Sequence, residues 1–210
     1  FLLNYNMKHL LFIFSFISIC YTQVKHTDFT SEDFDTFRIS IQIQKDVLDN
    51  KLKKYYEPSN GINLGLELPF YIGFVKTNID FFIYDKLKFK IGDNTYESQK
   101  FISIHPNMVW GIKLKLYQNI KWFNGLGLGG YIYYPESNWD SYFTLGSNTE
   151  TELSFSFLSI LDYNLNEKFN LIFSMQHNHV LTYQKIRINS ISIGISKKIN
   201  NPKWLSMVLR

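Results

Sequence analysis

The chain has 210 residues, of which 45% are hydrophobic, 18% aromatic and 19% charged, and its formal net charge is +4. This length suffices for one domain or one barrel, and the apolar content excludes a chain that is disordered by composition. The basic residues are scattered, so nucleic acid is not expected as a partner. The single cysteine, Cys20, excludes an intrachain disulfide and a cysteine-based metal site.

The N-terminal segment predicts a secretory signal peptide that starts at Met7. Lys8 provides a basic start, and residues 10–19 are apolar but shorter than the roughly 20 residues of a membrane-spanning helix. The alternative is a buried core helix. We expect cleavage before Gln23, which divides the chain into a leader (1–22), a polar periplasmic lead-in (23–35), a repetitive region (36–199) and a tail (200–210).

The repetitive region alternates polar and apolar residues, which is the side-chain period of β-strands. In the last segment, INSISIGISKKI, the isoleucines at 191, 193 and 195 share one face and the serines at 190, 192 and 196 share the other. The eight predicted strands lie in residues 36–44, 61–68, 71–84, 102–117, 120–134, 149–163, 169–181 and 189–199.

The links between these strands alternate in length. Those after the second, fourth and sixth strands are short, and those after the first, third and fifth are long; only the final link breaks the rule. Outer-membrane barrels have short periplasmic turns and longer outside loops. The alternation therefore favours a barrel whose apolar side faces lipid over a soluble sandwich whose polar side faces water.

Aromatic residues lie near both ends of the predicted strands. Such girdles are expected where rings sit at the level of the lipid headgroups. The predicted members are Phe70, Tyr71, Tyr117, Trp122, Tyr163 and Phe169 beside the short turns, and Tyr131, Tyr133 and Tyr134 toward the opposite end.

The polar face of the strands carries charges that a soluble core would not bury, because each unpaired charge is costly to desolvate. An eight-stranded barrel is narrow enough to be filled by side chains. We therefore expect a plugged lumen without an open pore, with the glycines of the fifth strand making room for long side chains. The predicted ion-pair network comprises Arg38, Glu67, Lys76, Asp80, Lys113, Lys115 and Glu152.

This pattern resembles the small eight-stranded outer-membrane β-barrel proteins, of the kind abundant in Bacteroidetes-like bacteria. The resemblance covers residues 36–199. It implies an all-β fold, an eight-stranded antiparallel up-and-down transmembrane β-barrel in the bacterial outer membrane, in contact with outer-membrane lipid. One departure concerns the C-terminus: such barrels commonly end in an aromatic residue, whereas here SKKI is followed by NNPKWLSMVLR.

Three function classes are weighed. The first is a non-enzymatic barrel with a structural or surface-binding role. The second is an outer-leaflet lipid-modifying enzyme, because His177 and His179 weakly resemble the lipid A deacylases; in that family, however, the nucleophilic serine stands where this chain has His179. The third is a soluble lipocalin-like carrier, which needs an apolar cavity. We favour the first, and predict no catalytic residues, metal or cofactor.

A surface ligand, if one binds, is expected at the long links over residues 45–60, 85–99 and 135–148. These links place aromatic rings beside charges, a combination that suits sugar or protein contacts. The alternative is that these aromatic residues complete the outer girdle.

Overall fold

The protein was analysed as a computed structural model, which describes residues 35–48, 52–58, 60–70, 73–91, 93–98, 100–135, 150–181 and 186–202. The predicted signal peptide and most of the lead-in and tail lie outside these residues. The strands are β1 (Thr36–Leu48), β2 (Tyr56–Pro58), β3 (Asn60–Pro69), β4 (Phe74–Lys86), β5 (Lys88–Ile91), β6 (Asn94–Glu97), β7 (Phe101–Tyr117), β8 (Ile120–Pro135), β9 (Glu150–Asn164), β10 (Phe169–Val180) and β11 (Ile186–Asn200), with a 3₁₀ turn at Leu52–Lys54.

Eight long strands close a barrel in the order β1-β3-β4-β7-β8-β9-β10-β11, and every neighbouring pair is antiparallel. Closure depends on the first and last strands, which pair from Thr36 opposite Asn200 to Leu48 opposite Ile188. A closed barrel leaves no unpaired sheet edge, which is a requirement for crossing hydrocarbon with strands. The predicted eight-stranded antiparallel up-and-down barrel is therefore confirmed.

The two faces of the barrel are reversed relative to a water-soluble protein. On β1, Ile39, Ile41 and Ile43 are 48–66% exposed, whereas Gln42 and Gln44 are 3% exposed. All eight barrel strands present apolar side chains outward; examples are Leu64, Phe81, Met108, Leu126, Phe157, Phe173 and Ile193. A continuous apolar exterior of this kind faces lipid, because water-soluble monomers rarely expose large apolar patches.

The connections distinguish the two ends of the barrel. At the end we call the turn end, β7 and β8 are joined by residues 118–119, and β9 and β10 by residues 165–168. The connection after β3 is equally short, and its Gly73 has φ of +101°, a left-handed conformation that glycine adopts without steric cost.

The opposite end, which we call the loop end, carries the longer connections. Two of them contain structure that the strand pattern did not resolve. The link after β1 includes β2, which pairs with β4, and the link after β4 contains the separate hairpin β5–β6. The link over residues 136–149 lies outside the described residues. No helix in the described part of the chain is long and apolar enough to cross a bilayer.

Candidate functional site

Charged side chains from five strands meet inside the barrel near the turn end. Lys113 pairs with Glu67 and, at 3.0 Å, with Asp162; Arg38 lies 3.3 Å from Asp162 and 3.9 Å from Glu67. Lys76 is buried and is the direct cross-strand partner of Glu67. We call these five residues the charge cluster. Cations and carboxylates alternate in it, so burial of each charge is offset by at least one neighbour of opposite sign.

The charge cluster follows from the register of the strands. Each member occupies an inward position of a different strand, β1, β3, β4, β7 or β9. The ammonium of Lys113 also lies 4.9 Å from the centre of the Phe74 ring, a cation–π contact. Glu67, Lys76 and Lys113 are 3–7% exposed, so their side chains fill the turn half of the lumen.

Next to the charge cluster, one side of the interior is apolar. Its buried members are Val109, Phe123, Leu158, Ile160 and Ile172. The glycines of β8 accommodate these residues and not the charged side chains that the sequence suggested. A Cβ atom at Gly125 would lie 2.6 Å from the Cγ1 atom of Val109, and one at Gly111 on β7 would lie 2.7 Å from the Phe123 ring. The absence of side chains at Gly125 and Gly111 thus leaves the space that Val109 and Phe123 occupy.

The facing side of the interior is a network of amides and hydroxyls. Gln42 donates to Asn63 at 2.6 Å, and its carbonyl accepts from Ser192 at 2.8 Å. Asn63 donates in turn to Asp80 at 2.5 Å. Paired in this way, buried polar groups avoid the free-energy cost of lost hydration.

Asp80 also begins a Ser–His–Asp arrangement. The Nδ1 atom of His105 lies 2.9 Å from Asp80 Oδ2, and its Nε2 atom lies 2.9 Å from Ser154 Oγ. The imidazole stacks on the Tyr131 ring, with the ring centres 4.0 Å apart. We call Asp80, His105 and Ser154 the buried triad.

The buried triad has the connectivity of a hydrolase triad but not its accessibility. His105 is 0% exposed, and Asp80 and Ser154 are each 1% exposed. A lipid substrate would lie outside the barrel, whereas Ser154 points inward, on the face shared with Ser156 and Leu158. Nucleophilic attack requires the reacting atom to come within about 3–3.5 Å of the hydroxyl. In this position the three side chains are hydrogen-bonded to one another inside the barrel.

An aromatic cluster fills the loop half of the lumen. It combines apolar and aromatic side chains of seven strands: Leu48, Phe82, Tyr84, Tyr131, Val180 and Ile188, with Tyr56, Phe101, Tyr133 and Ile186 packed against them. Tyr84 stacks on Phe101 with ring centres 4.5 Å apart, and Tyr131 accepts a hydrogen bond from Asn178 at 2.8 Å. Tyr131, which stacks on His105, joins the aromatic cluster to the buried triad.

The aromatic cluster corrects part of the predicted girdle. Tyr131 is 1% exposed and Tyr133 stacks on it, so both lie in the interior. The reason is parity, since both residues share the inward face of β8 with Phe123 and Gly125. Tyr134 has the opposite parity and is half-buried.

In contrast to Tyr131 and Tyr133, the described members of the predicted girdle at the turn end lie outside the barrel interior. Phe70, Tyr117 and Tyr163 are exposed. Trp122 lies on the outer face, where its indole N–H donates to Ser159 at 2.9 Å, and Phe169 lies beneath the ammonium of Lys197. Tyr71 lies outside the described residues.

The seven predicted lumen residues therefore separate into groups. Four of them belong to the charge cluster, namely Arg38, Glu67, Lys76 and Lys113. Asp80 belongs to the buried triad instead. Glu152 is half-buried toward the loop end. Lys115 is exposed. It pairs with Lys121 in the same register that pairs Lys113 with Phe123, but it lies close to the end of β7, at the turn end of the barrel.

Three interior residues were missed from the sequence: Asp162, His105 and Ser154. A signal for each was present, because Asp162 and Ser154 share the parity of Glu152, and His105 shares that of Lys113. The two histidines considered in the sequence, His177 and His179, instead have the parity of the outer face of β10. His177 is exposed on the outer face, where its Nδ1 atom is 2.6 Å from Asn189.

Within the described residues, no group of three or more His, Cys, Asp or Glu side chains is arranged to hold a metal ion.

The closed eight-stranded barrel, its apolar exterior and its polar, side-chain-filled interior define a transmembrane β-barrel of the outer-membrane type.

Comparison with solved structures supports this class at the level of fold. The outer membrane protein OprG from Pseudomonas aeruginosa matches with a TM-score of 0.56 and 13% identity, over 80% of this chain and 97% of OprG. Two further matches have lower scores: Ail of Yersinia pestis, in complex with the heparin analogue sucrose octasulfate (TM-score 0.46, 13% identity, 78% and 97% coverage), and Neisserial surface protein A (0.44, 15%, 78% and 96%). No protein-family model and no curated protein matches the chain.

Proposed function

We propose that this protein is an integral barrel of the bacterial outer membrane, with a closed interior and a structural or surface-binding role. The observation that carries the proposal is the reversal of its faces, with isoleucine, leucine and phenylalanine outside and amides, hydroxyls and paired charges inside. A Bacteroidetes-like origin stays part of the proposal and rests on the strand pattern alone. A lipocalin-like carrier would need the opposite arrangement.

Membrane fractionation tests the location. Folded protein should sediment with outer membranes and should migrate faster on a gel before boiling than after it. Recovery of the folded protein in the soluble periplasm would overturn the proposal.

Conductance tests the closed interior. The charge cluster and the aromatic cluster block the lumen at two depths, so purified protein should give no steady porin-like current in planar bilayers. A sustained current of porin size would show that the side chains do not close the lumen.

The long connections at the loop end are the proposed binding surface. Tyr55 and Tyr96, on the links after β1 and β4, are 39% and 46% exposed. Proteolysis of intact cells should cut at Lys51, Lys53 or Lys54, and not at the Gln118–Asn119 turn. The reverse pattern would place the loop end in the periplasm and remove this surface as a ligand site.

The second candidate, a lipid-modifying enzyme, is supported only by the connectivity of the buried triad. Lipid A from cells that carry the wild-type protein, the Ser154→Ala variant or neither should have the same acyl chains in mass spectra. An acyl change that depends on Ser154 would favour the enzyme and would require the triad to open to the exterior.

A further inference from the structure

The turn end of the barrel opens into a cavity of about 700 Å³ whose lining is strongly basic. We call this cavity the basic mouth. Its charged lining residues are Arg38, Lys121, Lys168, Lys197 and Lys198, with Glu167 as the acidic member. A smaller cavity of about 40 Å³ shares Arg38, Lys121 and Lys198 with it and reaches Glu67 and Lys113 of the charge cluster.

The cations of the basic mouth are only partly neutralised. Arg38 is paired with Asp162 and Glu67. Neither Lys168 nor Lys198 forms an ion pair with any residue in the described part of the chain. Cavities lined by one sign of charge, with low-dielectric walls, concentrate counter-ions.

The register of the barrel holds two of these cations together against their repulsion. Arg38 and Lys198 are direct cross-strand partners on β1 and β11. The backbone N–H of Lys198 donates to the carbonyl of Lys168 at 2.8 Å, which fixes a third basic residue beside them. Like charges placed directly opposite each other in a sheet are destabilising. A bound anion would relieve this repulsion.

We propose that the basic mouth binds a soluble anion of the phosphate class. Arg38, Lys121 and Lys198 have the parity of inward-facing positions, as their neighbours Ser40, Phe123 and Ser196 show. They therefore line the opening of the barrel at the turn end and not the lipid-facing exterior. A phosphate anion accepts charge-assisted hydrogen bonds from lysine and arginine, and it could enter from the aqueous side without leaving a bilayer.

The test uses the full mature protein in detergent micelles, with pyrophosphate as the probe in isothermal titration calorimetry at low salt. We expect pyrophosphate to bind the wild type, and Lys198→Gln to weaken that binding by about tenfold, the effect of one charge-assisted hydrogen bond. The matched control is Lys88→Gln on the loop-end hairpin, which makes the same change in net charge. Because Lys198→Gln also removes a repulsion, it should fold, as its gel mobility before boiling will report.

Three results would overturn the proposal. The first is no detectable binding of pyrophosphate to the folded wild type. The second is equal weakening by Lys198→Gln and Lys88→Gln, which would reduce the effect to net charge. The third is binding of short-chain phosphatidylglycerol that Lys198→Gln weakens and that pyrophosphate fails to displace, which would assign the site to a lipid headgroup. None of these results bears on whether the chain is an outer-membrane barrel.

Discussion

The charge cluster at the turn end and the aromatic cluster at the loop end both fill the barrel interior, but they differ in charge and in contact with solvent. The charge cluster sits beneath an open basic mouth and holds cations and carboxylates in alternation. The aromatic cluster packs tyrosine and phenylalanine rings together and contacts the buried triad through Tyr131, which stacks on His105.

This difference shows two ways to fill a narrow lumen. Charges can be buried where several strands each supply one member of a paired set, and water at the mouth reduces the desolvation cost. Farther from that mouth, the interior relies on aromatic packing and on hydrogen bonds of amides, hydroxyls and His105, several of which converge on the Asp80 carboxyl group. The two halves should therefore respond differently to substitutions.

The largest effect is expected at Lys113, which pairs with both Glu67 and Asp162. Lys113→Ala would leave Glu67 and Asp162 with Arg38, at 3.9 and 3.3 Å, as their remaining ion-pair cation. Breaking a buried ion pair costs about 3–5 kcal/mol, and because Arg38 remains we expect a loss near the lower end of that range. Urea-induced unfolding in detergent micelles measures the loss in the free energy of unfolding. The control, Lys115→Ala on the same strand, removes an exposed lysine and should change stability by less than about 0.5 kcal/mol. Similar losses in both variants would mean that the charge cluster does not stabilise the turn half.

Overpacking should be next in size. An alanine Cβ at Gly125 would lie 2.6 Å from Val109 Cγ1 and 2.7 Å from the backbone oxygen of Trp110. We expect Gly125→Ala to lower the free energy of unfolding by about 1–3 kcal/mol, the usual cost of an overpacked core. At Gly130 the nearest atom to an added Cβ is the Glu152 oxygen, 3.7 Å away. Gly130→Ala should therefore be nearly neutral, and equal losses at the two glycines would contradict the packing described for β8.

In the loop half, Ser154→Ala would leave the Nε2 atom of His105 without its hydrogen-bond partner. An unsatisfied buried polar group costs about 1–3 kcal/mol, and a single hydroxyl should fall near the lower end. The same unfolding assay measures it, with Thr151→Ala, which removes an exposed hydroxyl from β9, as the control. A loss at Ser154 no larger than that at Thr151 would show that the buried triad contributes little to the interior.

Much of the barrel could be predicted from the sequence because strand parity is a local property. The isoleucines of β1 and β11 identify their outward faces without any knowledge of the neighbouring strands. The alternation of short and long links likewise anticipates the turn end and the loop end.

The interior contacts could not be predicted in the same way, because they depend on stagger between strands distant in sequence. Arg38 meets Asp162 across 124 residues of chain, and nothing local indicates that pairing. Parity would have placed His105 and Ser154 on the inward face, but only the register brings them to hydrogen-bonding distance. Lys115 shows the converse case, since its parity matches that of Lys113 but its position near the end of β7 leaves it exposed.

The smallest effect is expected on the exterior, where Trp122 donates its indole N–H to Ser159. This contact lies on the outer face near the turn end, so it tests whether that face adds specific stability beyond apolar burial. Trp122→Phe removes the donor while it keeps an aromatic ring, and one hydrogen bond contributes about 0.5–1.5 kcal/mol. A double-mutant cycle with Ser159→Ala, followed by circular dichroism, isolates the pairwise coupling between the two side chains. We expect that coupling to be smaller than the loss at Lys113, because the exterior pair buries no charge. A coupling of zero would mean that Trp122 acts at the turn end only as an apolar ring, whereas a coupling as large as the Lys113 effect would remove the contrast between the exterior and the charged interior.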